Sequence, residues 1–365
     1  MNYSIHTYEL VGQFKFEYWH QVCHIIKTHF PAIETRLPFN KKENYIEKYI
    51  YRQGHLPGIT SITLCKTCGE KAVFKCFIYI RINPYNALNG NLHSNGEIIE
   101  ANCVAQSNRI IAHHLHFLPK YILKSLTLNR VDFCVNLRFS DHISAIEYLQ
   151  LLSRGLPRKC LHTGNEFTQS NSSILFSCKG YQFEIYVKAD QMKNHRYLNT
   201  YEDYYGVIRF ELRTYREKLI KLSLKYEHYF SYGDYSDFLT ACPLIAKSEI
   251  NKLVAEMVGY GNFYTYPHTK SVIENANIDP RPKSNVAYIV DALATNNTAL
   301  TITCDNDISH RKWKRLLCYY DKLGISPITV PSAFSHVFYP GVDNWDSFFE
   351  IKKENPKTPA FPTDI

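Results

Sequence analysis

No stretch of the 365-residue chain approaches the roughly 20 consecutive apolar residues that a bilayer-spanning helix needs, so no membrane role is expected. The amino-terminal run MNYSIHTYELVGQFKFEYW lacks a basic patch followed by an apolar core, and no secretory leader is expected. The eleven cysteines are odd in number and form no compact framework. This excludes a disulfide scaffold and suits reduced thiols in a cytoplasmic protein. Charge of one sign is not in great excess either. The 42 Lys and Arg against 34 Asp and Glu leave a net +8 spread along the chain, which permits a polyanionic partner without demanding one. No internal repeat is found. What is present is ample apolar content, 45%, enough to bury a core in each of two or three domains. The 28 Tyr and 21 Phe are many. Most belong in cores, yet aromatics interleaved with Lys and Arg also suit the stacking of unpaired bases beside phosphate contacts.

Periodicity divides the chain. FEYWHQVCHIIKTHF has amphipathic helical spacing, and KKENYIEKYI also reads as helix. From Ile62 the pattern turns to β-rich runs; Phe74, Cys76, Ile78 and Ile80 alternate with Phe77, Tyr79 and Arg81, predicting a central strand that stops at a turn, Asn83-Pro84. A helix is expected over 105–125, a strand in LTLNRVDFCVNLRF, a helix in SAIEYLQLLSRGL, and a hairpin of SILFSC and YQFEIYVKA turning at Lys179-Gly180. The strand GVIRFELRTY then runs into the helical REKLIKLSLKY. Beyond Tyr235 the chain reads mainly as helix, with NIDPRPKSN as a connector or wing-like loop. The expectation is an α+β fold with an open, mostly antiparallel sheet, flanking helices and a smaller mainly helical carboxy-terminal domain. Its expected parts are a helical segment 1–58 packed on the core, an α+β domain 59–230, a mainly helical DNA-binding or accessory domain 231–345, and a flexible tail 346–365.

Two strands carry charge where alternation places it on one face: Arg130 with Asp132, and Arg209 with Glu211 and Arg213. If the strands are neighbours, the two carboxylates are candidates to hold Mg²⁺ or Mn²⁺. Ordinary Arg–carboxylate pairing is the plain alternative. Glu184, Tyr186 and Lys188 likewise share a face, so Tyr186 is a candidate nucleophile with Lys188 favouring phenolate and contacting phosphate. An ordinary half-buried aromatic is the alternative. His113, His114 and His116 lie too close to Tyr121 for a metal-histidine nickase motif, and Cys65, Cys68 and Cys76 lack a fourth zinc ligand at customary spacing. Arg311, Lys312, Lys314 and Arg315 are candidates for phosphate contacts, or the wet side of a helix buried through Trp313, Leu316, Leu317 and Tyr320.

The ordered set Arg-Val-Asp on a strand, a hairpin ending Ile-Tyr-x-Lys, and Ile-Arg-Phe-Glu leading into a basic helix resembles the rolling-circle replication initiation factors of plasmids and phages, over residues 125–225. LGISPITVP at 323–331 is similar, more loosely, to the end of replication proteins of mobile elements. The resemblance implies a metal-dependent nickase that attacks the DNA origin, single-stranded or in a hairpin, through tyrosine. It stays linked to the 5′ phosphate and leaves a 3′ hydroxyl for the polymerase. It further implies Tyr186 as nucleophile, Asp132 and Glu211 as metal-site acids, Lys188, Arg130, Arg209 and Arg213 at phosphates, host helicase and polymerase as partners, and a homodimer. The chain departs from the family pattern at Val187, where Asp is frequent, and at Asn136, where a second acid can stand. These departures also suit a non-catalytic DNA-binding replication or copy-control protein.

Overall fold

The computed structural model describes residues 2–30, 34–37, 45–52, 55–68, 74–91, 97–155, 166–194, 201–229, 235–295, 298, 299, 302 and 309–346. In chain order the elements are β1 (Tyr3–Phe14), α1 (Trp19–His29), β2 (Glu34–Leu37), β3 (Tyr45–Arg52), β4 (Ile59–Cys68), β5 (Phe74–Ile82), α2 (Pro84–Asn89), α3 (Val104–His114), α4 (Lys120–Leu123) and β6 (Thr127–Arg138). There follow α5 (His142–Ser153), β7 (Glu166–Gln169), β8 (Ser173–Cys178), β9 (Tyr181–Val187), α6 (Lys188–Asn194), β10 (Val207–Tyr215), α7 (Arg216–Lys225) and α8 (Tyr235–Val258). The last are β11 (Phe263–Tyr264), α9 (Tyr266–Asn275), α10 (Pro280–Ala294), α11 (His310–Lys322) and β12 (Phe338–Tyr339). This is the expected α+β class, with a mainly helical region after 235. No helix among the described residues is long and apolar enough to cross a membrane.

The chain forms two compact units that do not follow the expected boundaries at 58 and 230: an amino-terminal unit of 2–134 and 212–246, and a carboxy-terminal unit of 135–211 and 247–365. The amino-terminal unit orders its strands β2-β3-β4-β5-β1-β6-β10. Its inner face is set by period-2 alternation: Cys76, Ile78, Ile80 and Ile82 of β5 are fully buried, and Leu10 of β1 and Ile62 of β4 sit on either side of Ile80. Trp19, Val22 and Ile26 of α1 are buried as a helical stripe, and Trp19 stacks on Phe14.

The segment expected as helix in KKENYIEKYI is β3 from Tyr45 onward, paired antiparallel with β4; residues 41–44 lie outside the described ones. Tyr49 and Tyr51 alternate with Lys48 and Ile50, and strand pairing overrides the helix preference of Lys and Glu. Among the described residues of segment 1–58, the strands β1, β2 and β3 thus outweigh the helix α1. The expected helix over 105–125 is broken into α3, a 3-10 turn at Leu115–Phe117 and α4, because Pro119 cannot continue a helix. Asn83-Pro84 ends β5 but starts α2, with the Asn83 side chain accepting from the Asn86 amide at 3.0 Å. Pro280 and Pro282 stand in the first turn of α10, where a missing amide costs nothing, so NIDPRPKSN is a helix start and not a wing.

The carboxy-terminal unit orders its strands β6-β10-β9-β8-β7, and β8 and β9 form the expected hairpin with Cys178 opposite Tyr181. Glu147 of α5, buried, accepts from the Ser335 amide at 2.8 Å, from Ser335 Oγ at 2.6 Å and from the Tyr339 hydroxyl. Tyr148 donates to Pro340 O at 3.0 Å and accepts from Trp345 Nε1 at 2.8 Å. These bonds fasten the segment 335–345 onto α5. Of the expected tail, 347–365 lies outside the described residues.

Candidate active site and phosphate-facing residues

Alternation along β9 puts Glu184 and Tyr186 on one side, and the strand ends at Val187, so Lys188 opens α6 instead of extending the strand. Tyr186 Oη donates to Glu211 Oε2 of β10 at 3.1 Å, with both side chains buried. Arg209, two residues before Glu211, is fully buried and donates Nε to Asn136 Oδ1 at 2.8 Å. Asn136 is thus the neutral acceptor that aims a guanidinium. Lys188, 5% exposed, donates Nζ to Gln191 Oε1 at 2.9 Å and lies 5.8 Å from the ring centres of Tyr186 and Tyr204. Burial pushes the Tyr186 phenol well above its ordinary range, and the charges of Glu211 and Glu184 and the bond to Glu211 push the same way; Arg209 opposes them. Tyr186 is therefore a neutral phenol at neutral pH, and Arg209 is a cation that favours its ionised form.

Asp132 belongs to the amino-terminal unit, whereas Tyr186 and Glu211 belong to the carboxy-terminal one. Its side chain is almost fully buried and held by a fork from Arg130, Nε to Oδ1 at 2.7 Å and Nη2 to Oδ2 at 2.5 Å. Thr7 Oγ1 donates to Oδ2 at 2.5 Å, and Arg213 Nε stands 3.4 Å from Oδ1. Arg81 is close enough that burial, then the charges of Arg130 and Arg213, lower its guanidinium pKa, opposed by Asp132 and Glu9. Thr7 was missed because β1 was not recognised: over YSIHTYELVGQF, His6 and Tyr8 share the core-facing side with Leu10 while apolar Ile5 and Val11 stand on the other, which blurs the alternation.

No protein-family model matches this chain, and no curated protein matches it.

Whether a divalent ion suits the two acids is a question of free oxygens. Hard cations need carboxylate oxygens turned toward them. Both oxygens of Asp132 are engaged by Arg130 and Thr7, with two further guanidiniums beside them, so this side chain does not fit a metal ligand as it stands. Glu211 shares Oε2 with Tyr186. Among the described residues no three His, Cys, Asp or Glu side chains gather into a metal-holding group. Cys65 and Cys76 are buried and Cys68 is exposed, and burial pushes the Cys76 thiol up to about 11. His114 Nδ1 lies 3.0 Å from Pro57 O, on a helix as the pattern suggested. On α11, Arg311, Lys312 and Arg315 are exposed while Lys314 pairs with Glu256 at 3.1 Å. Trp313, Leu316, Leu317 and Tyr320 form its buried side.

Proposed function

We propose that the chain is an initiator-type DNA nicking and joining enzyme that works in the cytoplasm on a replication origin, alongside a host helicase and polymerase. The observation that carries this reading is the 3.1 Å bond from Tyr186 Oη to Glu211 Oε2, flanked by Lys188 and Arg209. A phenol whose ionisation is suppressed attacks phosphorus only as its proton leaves, and Glu211 is placed to take that proton. The phenolic oxygen bonds to phosphorus as the P–O3′ bond breaks, and the departing 3′ oxygen takes a proton from solvent. Lys188 and Arg209 offset the charge that builds on the phosphoryl oxygens. Tyr186 is only 2% exposed, so a phosphodiester meets it only when the side chains over it are displaced.

That burial also favours a second reading, a DNA-binding replication or copy-control protein without catalysis. Covalent capture decides between them. The full chain, incubated with single-stranded and hairpin DNA in Mn²⁺ and separately in EDTA, should yield a protein–DNA adduct that Tyr186→Phe abolishes. An adduct that survives Tyr186→Phe rejects this nucleophile, and no adduct on any substrate supports the binding-only reading. The EDTA arm reports whether the metal implied by the family resemblance takes part.

A further inference from the structure

The face of the amino-terminal unit's sheet opposite its core is not an ordinary polar surface. On β5, Phe77, Tyr79 and Arg81 alternate with the fully buried Cys76, Ile78, Ile80 and Ile82, and all three are half-buried. The Phe77 and Tyr79 rings are neighbours with centres 6.3 Å apart. Across the strands the registers are Ile50 to Thr63 to Tyr79 to Val11, and Arg52 to Ser61 to Arg81 to Glu9. Tyr79 and Arg81 thus stand in adjacent cross-strand rows, with the exposed Arg52 two strands from Arg81, about 10 Å at ordinary strand spacing. The arginine row continues electrostatically: Arg81 feels both Arg130 and Arg213, and Tyr79 feels Arg216. The acids on this face are committed, Glu9 accepting from Asn129 at 2.6 Å and Asp132 held by Arg130.

We propose that this sheet face is a platform for single-stranded DNA, on which bases stack against Phe77 and Tyr79 while phosphates follow Arg52, Arg81, Arg130 and Arg213 across the strands. Two rings side by side with cations in the next row match bases splayed from a backbone; in a duplex the base faces are hidden against one another. Asp132 is then a positioning residue, the buried anion that holds Arg130 and Arg213 in the row and keeps their mutual repulsion down. The inference rests on the DNA-processing reading above and supplies its substrate form, but the surface lies wholly within the amino-terminal unit and the two fail separately.

The test uses the full chain and an oligothymidylate carrying 5-iododeoxyuridine. Ultraviolet cross-linking and peptide mapping should place adducts on the 74–82 peptide; cross-links confined to other segments overturn the proposal without requiring any variant. In fluorescence anisotropy, Tyr79→Leu or Phe77→Leu should each weaken binding on the order of tenfold, and Arg81→Gln should lower the salt slope by roughly 0.7. Wild-type affinity in both Leu variants, or a duplex competing as well as a single strand, overturns it, as does an absence of single-strand binding. Covalent capture on an origin hairpin that persists in Tyr79→Leu would leave the nicking reading standing even if the platform fails.

Discussion

Two residues of one kind of chemistry, an acid with a hydrogen-bonding neighbour, are built for different work. Glu211 shares its proton-accepting oxygen with a phenol, whereas Asp132 spends both oxygens on guanidinium and hydroxyl donors. Removing the charge of Asp132 strands Arg130 and Arg213 in a crowded positive site. Breaking one side of a buried ion pair costs about 3–5 kcal/mol, and the partial exposure of both arginines places Asp132→Asn nearer about 2–3 kcal/mol. Urea denaturation measures this. A variant as stable as wild type that has lost Mn²⁺ binding in calorimetry would instead identify Asp132 as a metal ligand. For Glu211→Gln, adduct formation with origin DNA should slow on the order of 10²-fold or more, as for loss of a general base, and single-turnover kinetics are the check.

Elements place these residues, and they were unequally legible. β6, β9, β10 and α5 stood out because each has a clean period, and the pairs Arg130 with Asp132 and Glu184 with Tyr186 followed from alternation alone. Lys188 did not, since nothing in YVKADQ distinguishes a strand's last residue from a helix's first. β1 and β3 were obscured by Tyr, His, Lys and Glu, whose place in a strand is decided by pairing with β5 and β4 across the sequence. Two elements also carry their own predictions. α5 is capped by Asp141, which accepts from Ser144 N at 2.8 Å, Ser144 Oγ at 2.7 Å and Ser140 Oγ at 3.0 Å. Burial raises its pKa, but these bonds and nearby His336 outweigh burial and hold it below the ordinary carboxylate value. A depressed folded pKa means stability present above the unfolded pKa and lost as pH falls through the folded one. Asp141→Ala should cost about 1 kcal/mol at neutral pH, a difference that shrinks in thermal melts at progressively lower pH. On α11, replacing exposed Arg311, Lys312 and Arg315 with Ala should leave stability within about 0.5 kcal/mol. If this face meets duplex phosphates, the salt slope of duplex binding should fall by up to about 2.7, and an unchanged slope would show that the helix is only a wet surface.

At the scale of the whole molecule, both units should lose stability in alkali. Tyr8 in the amino-terminal unit, and Tyr186 and Tyr320 in the carboxy-terminal one, all have phenols pushed well above the ordinary value, in each case chiefly by burial. A raised folded pKa contributes stability that is whole below the unfolded pKa, about 10, and drains as pH rises beyond it, because the unfolded chain sheds protons that the fold retains. Each such phenol contributes a slope of roughly 1.4 kcal/mol per pH unit, and the thiols of Cys76 and Cys242 in the amino-terminal unit, raised chiefly by burial, act in the same sense. Tyr79 and Tyr121 in the former and Tyr260 and Tyr339 in the latter are shifted the same way. The tryptophans divide with the units, Trp19 in one and Trp313 and Trp345 in the other, so each unit has its own fluorescent reporter. In urea titrations between about pH 9.5 and 11.5, with a variant keeping only Trp313, the carboxy-terminal midpoint should fall with pH, and less steeply once Tyr186→Phe is added. A slope unchanged by Tyr186→Phe would mean that Tyr186 titrates freely in the folded protein. For Tyr186 that would remove the reason to require Glu211 as a proton acceptor, because a phenol that ionises freely is a nucleophile on its own.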